Sequence, residues 1–252
     1  MADRVVLVAG VGTGLGSAVV SLLAAEGATV VAVARTASAL GPLAEHARQR
    51  GWKVAPRTAN VADPVAVERL VRAAIEEFGR VDALSVHVGH WASGETPLHR
   101  LSPEEWSAGI RDNLDAVYTT GRAVIPHMIE RHRGSVALVS AALPVRWAGS
   151  AAYCAGKAGV ADLVPKLARD YRAAGLRFNG VLPGSMAGEL PALDPPAADA
   201  PLALTDQTAT SPWEVARAIR YLLSDESRWT TGALLTVDGG ASTGAPEPGR
   251  RA

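Results

Sequence analysis

Five consecutive apolar residues, Val5-Val6-Leu7-Val8-Ala9, run straight into a glycine turn, Gly10-Val11-Gly12-Thr13-Gly14-Leu15-Gly16. A strand without polar alternation has no face to offer to water, so it belongs in a sheet covered on both sides. The theme recurs along the chain. Strand-like stretches at 29–34 (again apolar), 52–56, 81–88, 135–140, 176–182 and 234–237 alternate with helix-like stretches at 17–26, 38–50, 64–78, 103–131, 153–174 and 211–224. This alternation predicts a doubly wound α/β fold, with a mainly parallel seven-stranded sheet and helices on both faces. Local signals punctuate it. Gly27 stops the first helix, Asp63 caps the third, and Ser102-Pro103-Glu104-Glu105 reads as a capping box with Pro at the first helical position. Ser211-Pro212-Trp213-Glu214 opens the last helix, and Pro126 marks an expected kink in the long helix over 103–131. No boundary interrupts the pattern, so residues 1–240 read as a single domain, followed by a frayed Gly/Pro-rich tail over 241–252.

Composition narrows the partners. The formal net charge is zero and no basic stripe with interleaved aromatics is present, which argues against nucleic acid. No apolar run is long enough to span a membrane. The single cysteine fits a reducing, cytoplasmic setting.

In folds of this kind ligands bind beyond the carboxyl ends of the strands. Gly10, Val88-Gly89, Ser140 and Pro183-Gly184 all fall at such ends. The glycine turn lies between a strand and a helix, where bare backbone can approach a pyrophosphate at the positive helix end. Its spacing is Gly-x-x-x-Gly-x-Gly on Gly10, Gly14 and Gly16; Leu15 breaks the Gly-x-Gly-x-x-Gly alternative, and the absence of a following Lys excludes a Walker loop. Tyr153 and Lys157 form the second signal, in a chain with only four Tyr and three Lys. Residues i and i+4 share a helix face, and an ammonium beside a phenol favours the phenolate. The pair is therefore expected to draw the phenol from its usual pKa of about 10 towards neutrality, making Tyr153 a proton donor and acceptor.

Together these motifs resemble the short-chain dehydrogenase/reductase family of ordinary length, over about residues 4–242. The resemblance rests on the glycine turn, the Tyr153/Lys157 pair, Pro183-Gly184 after a strand, and Asp238-Gly239-Gly240. Ser140 stands thirteen residues before Tyr153, at the family's spacing, and Asn113 lies in the long helix where the family keeps an Asn. The resemblance implies a Rossmann-like fold and interconversion of a small-molecule carbonyl and a secondary alcohol. It implies that Ser140 polarises the carbonyl, Tyr153 passes the proton, Lys157 holds the nicotinamide ribose, and Asn113 anchors a water. It further implies a homotetramer or homodimer built through the helices near 103–131 and 153–174. A nucleotide-sensing regulatory protein on the same fold, or an enzyme acting on a C=N or C=C bond, remains open.

Three positions depart from the family pattern. Ala9 stands where a Thr is usual, Val86-His87-Val88-Gly89 replaces Asn-Asn-Ala-Gly, and Asn60 replaces the Asp that faces adenine. The expected nucleotide set is Gly10, Gly12, Thr13, Gly14, Leu15, Gly16, Arg35, Thr36, Asn60, Val61, Gly89, Pro183 and Gly184, with Tyr153 and Lys157. Ala34 occupies the position of the acid that selects NAD, and Arg35 follows it, so NADP(H) is expected over NAD(H), with the guanidinium on a 2′-phosphate. Leu143 to Trp147 and Met186 to Leu190 are expected to line the substrate pocket. Arg146 and Trp147 there suggest a substrate with an acidic or aromatic part. His87 and His90 lack a third ligand for a metal, and Cys154 points about 100° away from Tyr153 around the helix.

Overall fold

In the computed structural model, described over residues 1–186, 190, 192–197 and 209–243, seven strands form one parallel sheet in the order β3-β2-β1-β4-β5-β6-β7. They are β1 (Val5–Ala9), β2 (Thr29–Ala34), β3 (Val54–Thr58), β4 (Ala83–Val86), β5 (Gly134–Val139), β6 (Leu176–Pro183) and β7 (Leu234–Val237). The reversal of strand order between β1 and β4 opens a crevice at the carboxyl ends, where β1 pairs with β2 on one side and β4 on the other. The helices are α1 (Leu15–Ala25), α2 (Gly41–Arg50), α3 (Pro64–Phe78), α4 (Pro103–Ile110), α5 (Ala116–Glu130), α6 (Leu143–Ala148), α7 (Ala151–Tyr171) and α8 (Pro212–Leu223).

Strand alternation feeds two cores. Val5, Leu7 and Ala9 pack with residues of α3, α5 and α7, while Val6 and Val8 pack with residues of α1, α2 and α8. Every side chain of β1 is buried, as the unbroken apolar run requires. Asp63 caps α3 through the backbone N–H groups of Val65 and Ala66, and the capping box at Ser102/Glu105 is complete in both directions. Among the described residues no helix is long and apolar enough to cross a membrane.

Three local features differ from the sequence expectation. β3 starts at Val54 because Gly51 adopts φ 68° and the Trp52 N–H closes back on the Ala47 carbonyl, holding Trp52 in the end of α2. The long helix is interrupted at 111–115 by a π-helical turn, whereas Pro126 sits inside α5. The Asn113 side-chain amide donates to the Gly109 carbonyl at 2.9 Å, the acceptor its own backbone N–H would use in an α-helix, so the ladder slips by one residue. The short helix α6 fills the stretch between Ser140 and Tyr153. Residues 244–252 of the expected tail, and residues 187–189 of the expected pocket lining, lie outside the described residues.

Candidate active site

The glycine turn leaves β1 with Gly10 at φ 95°, and the backbone N–H groups of Gly10 and Val11 both donate to the Val33 carbonyl. A Cβ on Gly10 would meet the Val88 nitrogen at 2.9 Å, and one on Gly16 would meet the Val11 Cα at 2.6 Å. Those two glycines are therefore demanded by packing. Gly12 is different: a Cβ there would meet nothing within 4 Å. Helix α1 opens at Gly14 with no side-chain cap and no acid in its first turn. Its positive dipole end thus faces a bare cradle. Thr13 is exposed, and its carbonyl accepts from the Leu190 N–H, which brings Leu190 to the turn; Leu15 is half-buried.

Arg35 and Thr36 are exposed at the end of β2, and Arg35 has no ion pair among the described residues. Asn60 turns its amide oxygen onto the Ala62 N–H at 3.2 Å, and the carbonyl of buried Val61 is held by the Thr119 hydroxyl. On the far side, Pro183 accepts from the Ala142 N–H, and Gly184 packs so tightly on Asp238 that a Cβ would lie 2.9 Å from the Asp238 Cβ. This contact accounts for the glycine at 184, whereas Gly239 and Gly240 adopt φ 64° and 92°. The Asp238 carboxylate lies below the usual carboxylate range: burial pushes it up, but bonds from Ser242 and Gly240 outweigh it.

Ser140, Tyr153, Lys157 and Asn113 are all buried. Ser150 caps α7 by accepting from the Tyr153 N–H, which fixes the start of the helix and hence the phase of Tyr153 and Lys157. The Ser140 hydroxyl donates to the Lys157 carbonyl at 2.6 Å. The Lys157 ammonium donates to the carbonyls of Val88 (2.9 Å) and Val139 (3.2 Å), leaving a third N–H for another acceptor. A Cβ on Gly89 would lie 2.7 Å from the Lys157 Nζ and 3.0 Å from the Asn113 Oδ1, so the glycine makes room for both. Asn113 donates to the His90 and Gly109 carbonyls, while its buried Oδ1 has no partner.

The electrostatics correct one expectation. Burial pushes the Tyr153 phenol up to about 12; nearby Arg146 pulls it down, and Cys154 adds slightly to the rise. Lys157 does not draw the phenol towards neutrality, because its ammonium is turned to the two carbonyls and is itself pushed down to about 8 by burial. His87, which sequence reasoning left without a role, lies in the same cluster. Its Nε2 is 2.6 Å from the Ser85 hydroxyl, and its buried Nδ1 has no partner. Burial, with help from the Lys157 charge, holds the imidazole down at about 3, so it is neutral. Its type was visible in the sequence; its depth was not. Among the described residues, no group of three or more His, Cys, Asp or Glu could hold a metal.

The open Gly12 cradle, the uncapped α1, the spare Lys157 N–H and the unpartnered Asn113 oxygen fit a dinucleotide lying across the crevice. Comparisons agree with this geometry. The family pattern for short chain dehydrogenases matches residues 4–193. The chain is 33% identical over 244 residues to 3-oxoacyl-(acyl-carrier-protein) reductase FabG of Thermotoga maritima, covering 94% of this chain and 97% of the relative. It is 36% identical over 242 residues to cis-4-hydroxycyclohexanecarboxylate dehydrogenase of Sinomonas cyclohexanicum, covering 95% and 96%. Among solved structures, a short-chain dehydrogenase/reductase from Burkholderia xenovorans superposes with a TM-score of 0.86 at 29% identity, covering 97% of this chain and 98% of the other. Levodione reductase gives 0.84 at 27%, covering 97% and 99%. A parallel sheet in this order, a glycine turn shaped for a dinucleotide and this breadth of similarity place the chain in the short-chain dehydrogenase/reductase family, whose members are oxidoreductases that bind nicotinamide cofactors.

Proposed function

We propose that this protein interconverts a ketone and a secondary alcohol with NADP(H), using residues 1–240 as one catalytic unit. The observation that carries the reading is the buried Lys157 ammonium, fixed by two carbonyls behind a glycine that leaves its third N–H open, on the helix that carries Tyr153. Reduced nicotinamide, when bound, supplies the hydride that a carbonyl carbon accepts. The chain's own residues handle the rest. The Ser140 hydroxyl re-aims from the Lys157 carbonyl to the substrate oxygen and polarises it. Tyr153, protonated at neutral pH, gives its proton to that oxygen as the C=O π pair becomes the O–H bond. Lys157 holds the ribose and returns a proton to the phenolate, and a water on Asn113 Oδ1 links Lys157 to solvent.

Arg35, exposed after Ala34 and without an ion pair among the described residues, supports a 2′-phosphate over a free 2′-hydroxyl. The turn residues Gly10 to Gly16, with Thr36, Asn60, Val61, Gly89, Pro183 and Gly184, complete the nucleotide site. Exposed Trp106 and Tyr118 on α4 and α5 support assembly into a homotetramer or homodimer through those helices, and the single free Cys154 suits a cytoplasmic setting.

Tyr153→Phe tests the reading. We expect kcat on a ketone panel to fall by about a thousandfold or more, with nucleotide binding, followed by tryptophan fluorescence, unchanged. Retained turnover would remove Tyr153 from the reaction. Tight nucleotide binding by the wild-type protein with no turnover of any ketone, imine or enone would favour the regulatory alternative. Arg35→Asp is expected to lower the NADPH over NADH preference by about tenfold or more; an unchanged ratio sinks the NADP(H) assignment.

A further inference from the structure

Helix α6 forms the wall between Ser140 and Tyr153, and it is clamped at both ends. Its start is tied to β6 by the Ala142 N–H on the Pro183 carbonyl at 2.8 Å. Its end is held by the 92–94 loop: Gly94 donates to Ala148, Ser150 donates to Ala92, and Ser93 bridges Gly149. Gly149 in turn lies so close to the Tyr153 ring that a Cβ would fall 2.4 Å from the Tyr153 Cδ1. The backbone of α6 is thus fixed relative to Tyr153.

Arg146 is the one charged residue of this helix. It is half-buried, its Nε is buried without a hydrogen-bond partner, and it makes no ion pair among the described residues. Its charge reaches the Tyr153 phenol. From 140 to 157 the chain holds Arg146 and Lys157 but no Asp or Glu, and 86–94 holds no acid either. A half-buried guanidinium with no acid against it among the described residues is suited to a planar anion. Exposed Leu143 and Trp147 on the same helix supply apolar surface for the body of such a ligand.

We propose that Arg146 receives a carboxylate of the substrate, so that the enzyme acts on oxo- and hydroxy-carboxylic acids whose acid group stands apart from the reacting carbon. This rests on the carbonyl/alcohol reading above. A relative 36% identical carries the name of a hydroxycyclohexanecarboxylate dehydrogenase, an acid of that class.

The test is a set of matched ketones, each as free carboxylate and as methyl ester, beginning with 4-oxocyclohexanecarboxylate. The wild-type enzyme is expected to favour the acids in kcat/KM by about 10- to 100-fold, chiefly through KM. Arg146→Gln should collapse that preference, and Arg146→Lys should recover part of it. A second readout needs no turnover: cyclohexanecarboxylate should quench tryptophan fluorescence of the nucleotide-bound wild-type protein at about tenfold lower concentration than of Arg146→Gln. Circular dichroism checks that the variants fold. Equal use of acids and esters by the wild-type enzyme, or a preference that survives Arg146→Gln, overturns this inference while leaving the reductase reading intact. Failure of every ketone in both forms, with either nucleotide, overturns the reductase reading and this inference with it.

Discussion

The two ends of the sheet differ in how their buried cations are answered among the described residues: mainly by acids at the amino ends, and by carbonyls or by nothing at the carboxyl ends. At the amino ends the buried charges mostly meet acids, carbonyls or hydroxyls, although Arg131 Nη1 is buried without a hydrogen-bond partner among the described residues. Asp82 accepts from the Val5 N–H and pairs with Arg80 and Arg131. Arg177 spends its guanidinium on the carbonyls of Leu222, Ser224, Ser227 and Thr230 and the hydroxyls of Ser135 and Ser227. Arg4 pairs with Asp225. At the carboxyl ends, among the described residues, Lys157 has no acid beside it, and Asn113 Oδ1, His87 Nδ1 and Arg146 Nε are buried without partners. Unmatched buried groups cost about 1–3 kcal/mol each, so the carboxyl end is held in place at the expense of stability. The amino end closes the fold, while the carboxyl end keeps groups free for ligands.

Substitutions can break this contrast. Arg177→Leu should have the largest effect on stability, about 4 kcal/mol by urea unfolding, because it strips a partner from several buried acceptors. The kcat of the surviving folded fraction should be nearly unchanged. A large loss of kcat at full stability would show that the amino end serves the site as well.

The pH dependence of stability sharpens the comparison. Lys157 is pushed down to about 8 from 10.5, so the unfolded chain binds the extra proton between those values. Stability should therefore rise with pH from about 8 to 10, by of order 3 kcal/mol for this group alone. The sign reverses for Tyr153: its folded pKa of about 12 against 10 means that stability falls between those values. Lys157→Met should erase the rise; urea midpoints at pH 7.5, 9 and 10 that climb equally in wild type and variant would place its source elsewhere.

Gly89→Ala should have the smallest effect, about tenfold in kcat, as the new methyl displaces the Lys157 ammonium and the Asn113 amide. Unchanged kinetics would mean that the crowding at residue 89 is relieved without moving either group.

Much of the fold was legible because its signals are local. The unbroken apolar run of β1, the Asp63 cap and the Ser102/Glu105 box depend on residues within a few positions of one another. At Asn113 the residue type signals a side chain that competes for backbone groups, but not that it would take the Gly109 carbonyl and turn 111–115 into a π-helix. For the site, the spacing of Tyr153 and Lys157 placed both on one helix. It misjudged the electrostatics, because spacing says which groups are near and nothing about how deeply they are buried.

The sequence by itself determined the order of elements, the two-sided burial of the strands and the residues that meet at their carboxyl ends. Those follow from periodicity and short-range stereochemistry. Only the tertiary structure decided that Lys157 binds the carbonyls of Val88 and Val139, that Gly89 is the gap admitting it, and that Arg146 has no acid against it among the described residues. These are contacts between segments distant along the chain, and both hydrogen bonding and desolvation depend on what packs around a group.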